Sequence, residues 1–206
     1  MKHTSVLFAV MLIILLSGMG MAQNISGSAH DFSTASWNTS GQICIVCHTT
    51  HNADVTVTDA PLWNHQITTA TFTPYSSSSL NATVGEPDAS SKLCLSCHDG
   101  TIATDNFGGV TDGTYFVTGD QLIGTSLAND HPISFTYDAT LATTDGGLFD
   151  PTTTNSGIGG TIDEDLLIGH KMQCASCHDV HNSSGVDKLL LVDNSGSALC
   201  LTCHNK

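Results

Sequence analysis

Four C-x-x-C-H pentapeptides carry the chemistry of this 206-residue chain: Cys44-Ile-Val-Cys47-His48, Cys94-Leu-Ser-Cys97-His98, Cys174-Ala-Ser-Cys177-His178 and Cys200-Leu-Thr-Cys203-His204. Two thiols at this spacing add to the two vinyl groups of one haem, and the imidazole that follows binds the iron. On a helical turn, positions i, i+3 and i+4 share a face, so both sulfurs and the ring nitrogen meet one side of a porphyrin. A zinc knuckle, a thioredoxin-like pair or a disulfide framework also uses C-x-x-C, but none of them needs His directly after the second Cys in every copy. All eight cysteines fall in the four motifs. The expectation is four covalently bound haem c groups, with His48, His98, His178 and His204 as proximal iron ligands.

Haem iron takes two axial ligands, and the second decides between electron transfer and chemistry at an open position. Of the five methionines only Met172 lies beyond residue 21, two residues ahead of Cys174 and badly placed to swing over a nearby haem. Histidine is in excess. With the motif histidines and His3 set aside, His30, His51, His65, His131, His170 and His181 remain. His51 and His181 each stand three residues after a proximal histidine, on the same side of that porphyrin, so they reach only a neighbouring haem. His131 precedes Pro132, which restricts the backbone, and His30 is the one histidine of an N-terminal arm. Distal ligation is assigned to His30, His51, His131 and His181, with His65 and His170 as further candidates, either ligands, partners of ligands or solvent-facing residues.

These sites must be positioned by unpromising material. Thr, Ser, Gly, Asp and Asn dominate and aromatic residues make up 6%, too little to offset the ordering entropy of the chain by side-chain burial alone. The fold class expected is a multihaem cytochrome c: mostly irregular loops, short helices at the C-x-x-C-H sites, a few short β-strands, and the haems forming the core. Ile133-Ser-Phe135-Thr-Tyr137 alternates as a strand, with Tyr115-Phe116-Val117 as its partner. Ser90 or Ser91 is expected to cap a helix carrying Leu93 to His98. The Asp/Gly clusters at Asp112-Gly113 and Asp145-Gly-Gly147 read as turns, since no EF-hand pattern accompanies them.

The formal net charge is -14, there is no arginine, and one of the five lysines is Lys2. A phosphate-binding surface needs Lys and Arg, so nucleic acid is excluded as a partner. Residues 1–22 read as a signal peptide: Lys2, an apolar run from Val6 to Leu16, then small residues ending at Ala22. The run is too short for a membrane span. The mature chain, 23–206, is expected to be secreted, extracellular or at the outer cell surface, with the periplasm as the alternative.

The chain also repeats itself. Cys174 to Asn182 matches Cys44 to Asn52 in layout, and Leu199 to His204 matches Leu93 to His98. Two haem-pair units, 30–98 and 170–206, therefore flank a Cys-free, Gly/Thr/Asp-rich insert, 99–169.

Ser28-Ala-His30-Asp-Phe32, Cys44 to Asn52, Pro61-Leu-Trp63-Asn, Asn129-Asp-His131-Pro132 and Cys174 to Asn182 together resemble the doubled C-x-x-C-H multihaem cytochromes. Within them the chain is similar to the OmcE-type tetrahaem cytochromes of metal-reducing bacteria, over nearly the whole mature length. The resemblance implies four bis-histidine haems in a continuous stack, little regular secondary structure, and subunits polymerised into extracellular filaments that conduct electrons. It implies distal ligation at positions such as His30, His51, His131 and His181.

The residues themselves point to a multihaem electron carrier and not an enzyme: a filament subunit, as the resemblance implies, or a soluble periplasmic shuttle. A multihaem oxyanion reductase would need an open axial position with Lys or Arg beside it, which this composition does not favour. The partners expected are further copies joined head to tail with one axial histidine donated in trans, redox partner cytochromes and extracellular electron acceptors.

Overall fold

The computed structural model describes residues 25–58, 60 and 62–205; the signal peptide expected over 1–22 lies outside them. Irregular backbone predominates. Regular elements are Ala89–His98 (α1), Ala139–Asp145 (α2), Ile162–Asp165 (α3) and Ala198–Cys203 (α4), short 3-10 turns, and one antiparallel pair, Phe135–Thr136 (β1) with Lys171–Met172 (β2). No helix among the described residues is long and apolar enough to cross a membrane.

The acidic, Ser/Thr-rich composition has a local structural use. Asp31, Asp54, Asp99 and Asp150 are each followed two residues later by Ser or Thr. In every case the carboxylate accepts from that residue's backbone N–H, at 3.1, 2.8, 2.7 and 2.9 Å. The hydroxyl of the same residue donates to it as well, at 2.6, 2.6, 2.8 and 2.7 Å. Such turns satisfy loop backbone without a ladder partner, so carboxylates here hold the loops as well as keeping the surface charged.

Two sequence expectations are corrected. The 133–137 segment does form a strand, but β1 pairs Phe135 with Met172 and Thr136 with Lys171, not with 115–117. Residues 115–117 instead sit over Asp105, whose carboxylate accepts from Thr114 N and Tyr115 N at 3.1 and 3.0 Å. The helix around the second motif starts earlier than expected, with Asp88 at its N-cap position. Ser91 is thereby a first-turn residue whose hydroxyl turns inward to Gln173 and accepts from Cys174 N at 2.9 Å.

Apolar burial is divided. One cluster joins β1, β2, α2 and α3 through Phe135, Tyr137, Leu141, Ile162, Leu166 and Met172, and reaches Cys203 of the last motif. A smaller one packs Leu95 of α1 against Phe72 and Leu127. Between them runs a buried polar network. Gln173, 1% exposed, accepts from Ser91 and Ser134 and donates through Nε2 to Asp88 at 2.7 Å. Asp88 also pairs with the Lys171 ammonium. The network fixes α1, which carries the second motif, against the turn that carries the third.

Candidate haem sites

Each motif closes one helical turn. His48 N, His178 N and His204 N donate to the carbonyls of Cys44, Cys174 and Cys200 at 2.8, 3.0 and 3.0 Å, and the second motif lies within α1. Cysteine, cysteine and histidine thus share a face at every site, as the spacing predicts. None of the eight cysteines is in a disulfide, and these are the residues that would form thioethers to haem.

Each turn is covered by a strap from elsewhere in the chain. Over the first site, Leu62 O accepts from Thr49 N at 2.9 Å and Asn64 N donates to Cys47 O at 2.9 Å. Over the third, Leu189 O accepts from Asp179 N at 2.7 Å and Leu191 N donates to Cys177 O at 2.9 Å. The two sites are built alike down to the backbone: Leu62 and Leu189 have φ of 52° and 57°, and Asn52 and Asn182, four residues after the proximal histidines, have 58° and 53°. Asparagine is among the few side chains that tolerate this left-handed region, which accounts for the repeated His-Asn pair. The insert 99–169 supplies the other two straps: Ile123 N donates to His98 O at 2.8 Å, and Phe149 N to Cys203 O at 2.9 Å.

Histidine tethers prepare ring nitrogens for a metal. The Nδ1 atoms of His98, His178 and His131 lie 2.7, 3.1 and 2.9 Å from the carbonyls of Gln121, Lys188 and Pro132. A donor Nδ1–H leaves Nε2 with a free lone pair, the usual arrangement of a metal-ligating imidazole.

Across the fold, three motif histidines each stand beside one histidine from outside the motifs. Ring centroids are 6.1 Å apart for His30 and His98, 6.2 Å for His48 and His181, and 6.3 Å for His131 and His204. Two imidazoles on opposite sides of one metal, each bonded at about 2 Å, place their centroids about 6.3 Å apart. No histidine ring faces His178 or His51 among the described residues, and both side chains are exposed.

His65 and His170 are placed differently. His65 is 2% exposed, with Nδ1 2.8 Å from Gln66 O and Nε2 3.0 Å from Ala103 O, so neither nitrogen faces open space. His170 is exposed and its Nδ1 bonds the Asp163 carboxylate of α3 at 2.8 and 3.0 Å.

Burial and neighbours show how the sites adjoin. Burial, then the nearby Cys47 and Asp99, push the Cys97 thiol up to about 12. The Cys94 and Cys174 thiols lie close enough to shift each other, Cys94 upward and Cys174 downward. Burial, then Cys174 and Cys200, raise Cys177. Cysteines of successive motifs thus lie near one another. His30 is held neutral, its pKa lowered to about 4 by burial and then by His98, His178 and His181, the form in which an imidazole can ligate.

The residues present fit haem. A cavity of about 320 Å³ is lined by Cys177, Cys200, Cys203, His204 and His131 together with Phe135, Tyr137, Leu141 and Met172, an apolar slot with a histidine at each side. His30 Nδ1, Trp63 Nε1 and Ser90 Oγ are buried with no hydrogen-bond partner, although native folds rarely orphan such atoms. Sequence reasoning missed the straps, and the repeated Leu62/Leu189 is the one signal that could have found them.

The family described as the doubled CXXCH motif matches residues 169–206, a span that covers the segment 170–206 expected as a haem-pair unit. A search of curated proteins gives no match. Four single-turn Cys-Cys-His sites, two of them inside that matched segment, support reading the chain as a multihaem c-type cytochrome that carries electrons.

Proposed function

We propose that this chain is a tetrahaem electron carrier of the OmcE type, holding four bis-histidine haems in a row and joining copies head to tail into an extracellular conductive filament. The observation that carries this reading is the pairing of histidines. His30, His181 and His131 face motif histidines at 6.1, 6.2 and 6.3 Å, while the exposed His178 and His51 face none among the described residues. Each of these two supplies what the other lacks, so His51 of one copy completes the site on His178 of the next. That contact joins unlike surfaces and is heterologous, so it propagates into an open chain of subunits.

Bound haem supplies a one-electron couple at each site. The chain's own residues hold it through the Cys pairs and fill both axial positions with imidazole, which favours low potential because no thioether ligand is present. Filled axial positions leave no place for a substrate, and the absence of arginine removes the side chain best suited to an oxyanion. The neighbouring of Cys47 with Cys97, Cys94 with Cys174, and Cys177 with Cys200 supports one row. Export through the segment 1–22, loading by redox partner cytochromes and discharge to extracellular acceptors complete the reading.

Intact mass after acid–acetone extraction is expected to exceed the mature polypeptide by four haem masses, and negative-stain imaging of secreted material should show filaments. A gain of three or fewer in matured protein overturns the tetrahaem reading. Monodisperse particles with four haems return the function to a soluble shuttle.

A further inference from the structure

We infer that the indole N–H of Trp63 donates a hydrogen bond to a propionate carboxylate of the haem carried by Cys44 and Cys47, an inference that rests on the haem reading above. Trp63 Nε1 is buried and has no hydrogen-bond partner. An indole nitrogen only donates, and leaving such a group unpaired away from water costs about 1–3 kcal/mol, so a fold that buries it supplies an acceptor.

The place of the indole names that acceptor. Trp63 is the central residue of the first strap, its backbone bridged to both His48 and Asp54. Its ring stands nearly perpendicular to the His48 ring, with centroids 6.4 Å apart and planes at 86°. The carboxylate oxygens that a haem held by Cys44, Cys47 and His48 would bring to this site are those of its propionates. Few cations compete for them: the chain has no arginine, and Lys171 is paired with Asp88. A neutral donor such as the indole can hold a carboxylate without a cation.

The internal repeat sharpens the inference. Leu190 stands at the equivalent position of the third site, bridged to His178 as Trp63 is bridged to His48. Leucine has no donor, so this hydrogen bond belongs to the first haem and separates it from an otherwise matching third. Drawing negative charge from a carboxylate near the iron makes the oxidised state less favourable, so the bond raises the first haem's reduction potential.

The test compares the wild-type holoprotein with Trp63→Phe and Trp37→Phe, each first shown by intact mass to carry its haems. Ultraviolet resonance Raman reads indole N–H hydrogen bonding, and Soret-excited resonance Raman reads the propionate bending band. The expected result is a hydrogen-bonded indole signal that disappears in Trp63→Phe, a propionate band that shifts in Trp63→Phe but not in Trp37→Phe, and a lower potential for one haem in Trp63→Phe. A free N–H at Trp63 overturns the inference, as does a bonded indole with an unmoved propionate band. If Trp63→Phe does not mature, Trp37→Phe still decides: its one remaining indole must show a bonded frequency that moves as the haem carboxylates titrate, and a fixed frequency overturns the inference. Wild-type protein without haem would instead overturn the haem reading itself.

Discussion

The His48 and His181 rings are nearly parallel, 15° apart, with centroids separated by 6.2 Å. His181 comes from the last haem-pair unit and stands three residues after its own motif histidine, His178. The ring therefore lies beside a motif histidine other than the one it follows in the chain, bringing residues from the two halves of the chain together.

Removing that ring tests the pairing. His181→Ala is expected to keep every haem attached, because attachment depends on cysteines, while making one iron five-coordinate. Near-infrared magnetic circular dichroism should show one haem's worth of high-spin signal, and His131→Ala should do the same at the last site. His65→Ala should show none. Its cost appears in stability, about 1–3 kcal/mol by denaturant titration, because a buried carbonyl loses its donor.

The subunit contact is tested at His51. His51→Ala should leave haem content unchanged, create one five-coordinate iron and shorten or abolish filaments. Filaments of normal length with fully low-spin haem would show that the head-to-tail contact uses another residue.

The buried network around Gln173 is expected to govern stability without touching the cofactors. Gln173→Ala leaves Asp88, Ser91 and Ser134 without their shared partner, at a cost of about 1–3 kcal/mol. Thermal unfolding followed at the haem and in the far ultraviolet should shift downward together, with haem count per chain unchanged.

Asp88 adds a pH dependence with a definite sign. Partial burial raises its carboxyl, but the hydrogen bonds and charge of Lys171 and the donation from Gln173 outweigh it and hold the pKa below the usual carboxylate value. A depressed folded pKa gives stability that is present above the unfolded value, about 3.9, and lost as pH falls through the folded one. The difference in unfolding midpoint between wild type and Asp88→Asn should therefore shrink as pH is lowered from 5 towards 2, that is, from about one unit above to two below that value. A difference that stays constant over this range would remove Asp88 from the acid response.

The C-x-x-C-H turns were legible because their geometry is local. Five consecutive residues hold both sulfurs and the imidazole, and the turn that aligns them closes through a bond inside the motif, as His204 N to Cys200 O does. Loops elsewhere were legible for the same reason, since an Asp accepts from a Ser or Thr two residues away. The distal side was legible only as a surplus of histidines. Which of them faces which motif depends on chain segments far apart in sequence, and their approach is set by packing and by straps whose hydrogen bonds are made by backbone, which leaves almost no mark on side-chain identity. Tertiary structure therefore decided that His30 stands beside His98, His181 beside His48 and His131 beside His204, that β1 pairs with 171–172 and not 115–117, and that both ring nitrogens of the buried His65 lie against carbonyl oxygens. A histidine's nitrogen is the same ligand on paper wherever it stands; only the groups the fold brings to it determine whether it is left free for iron.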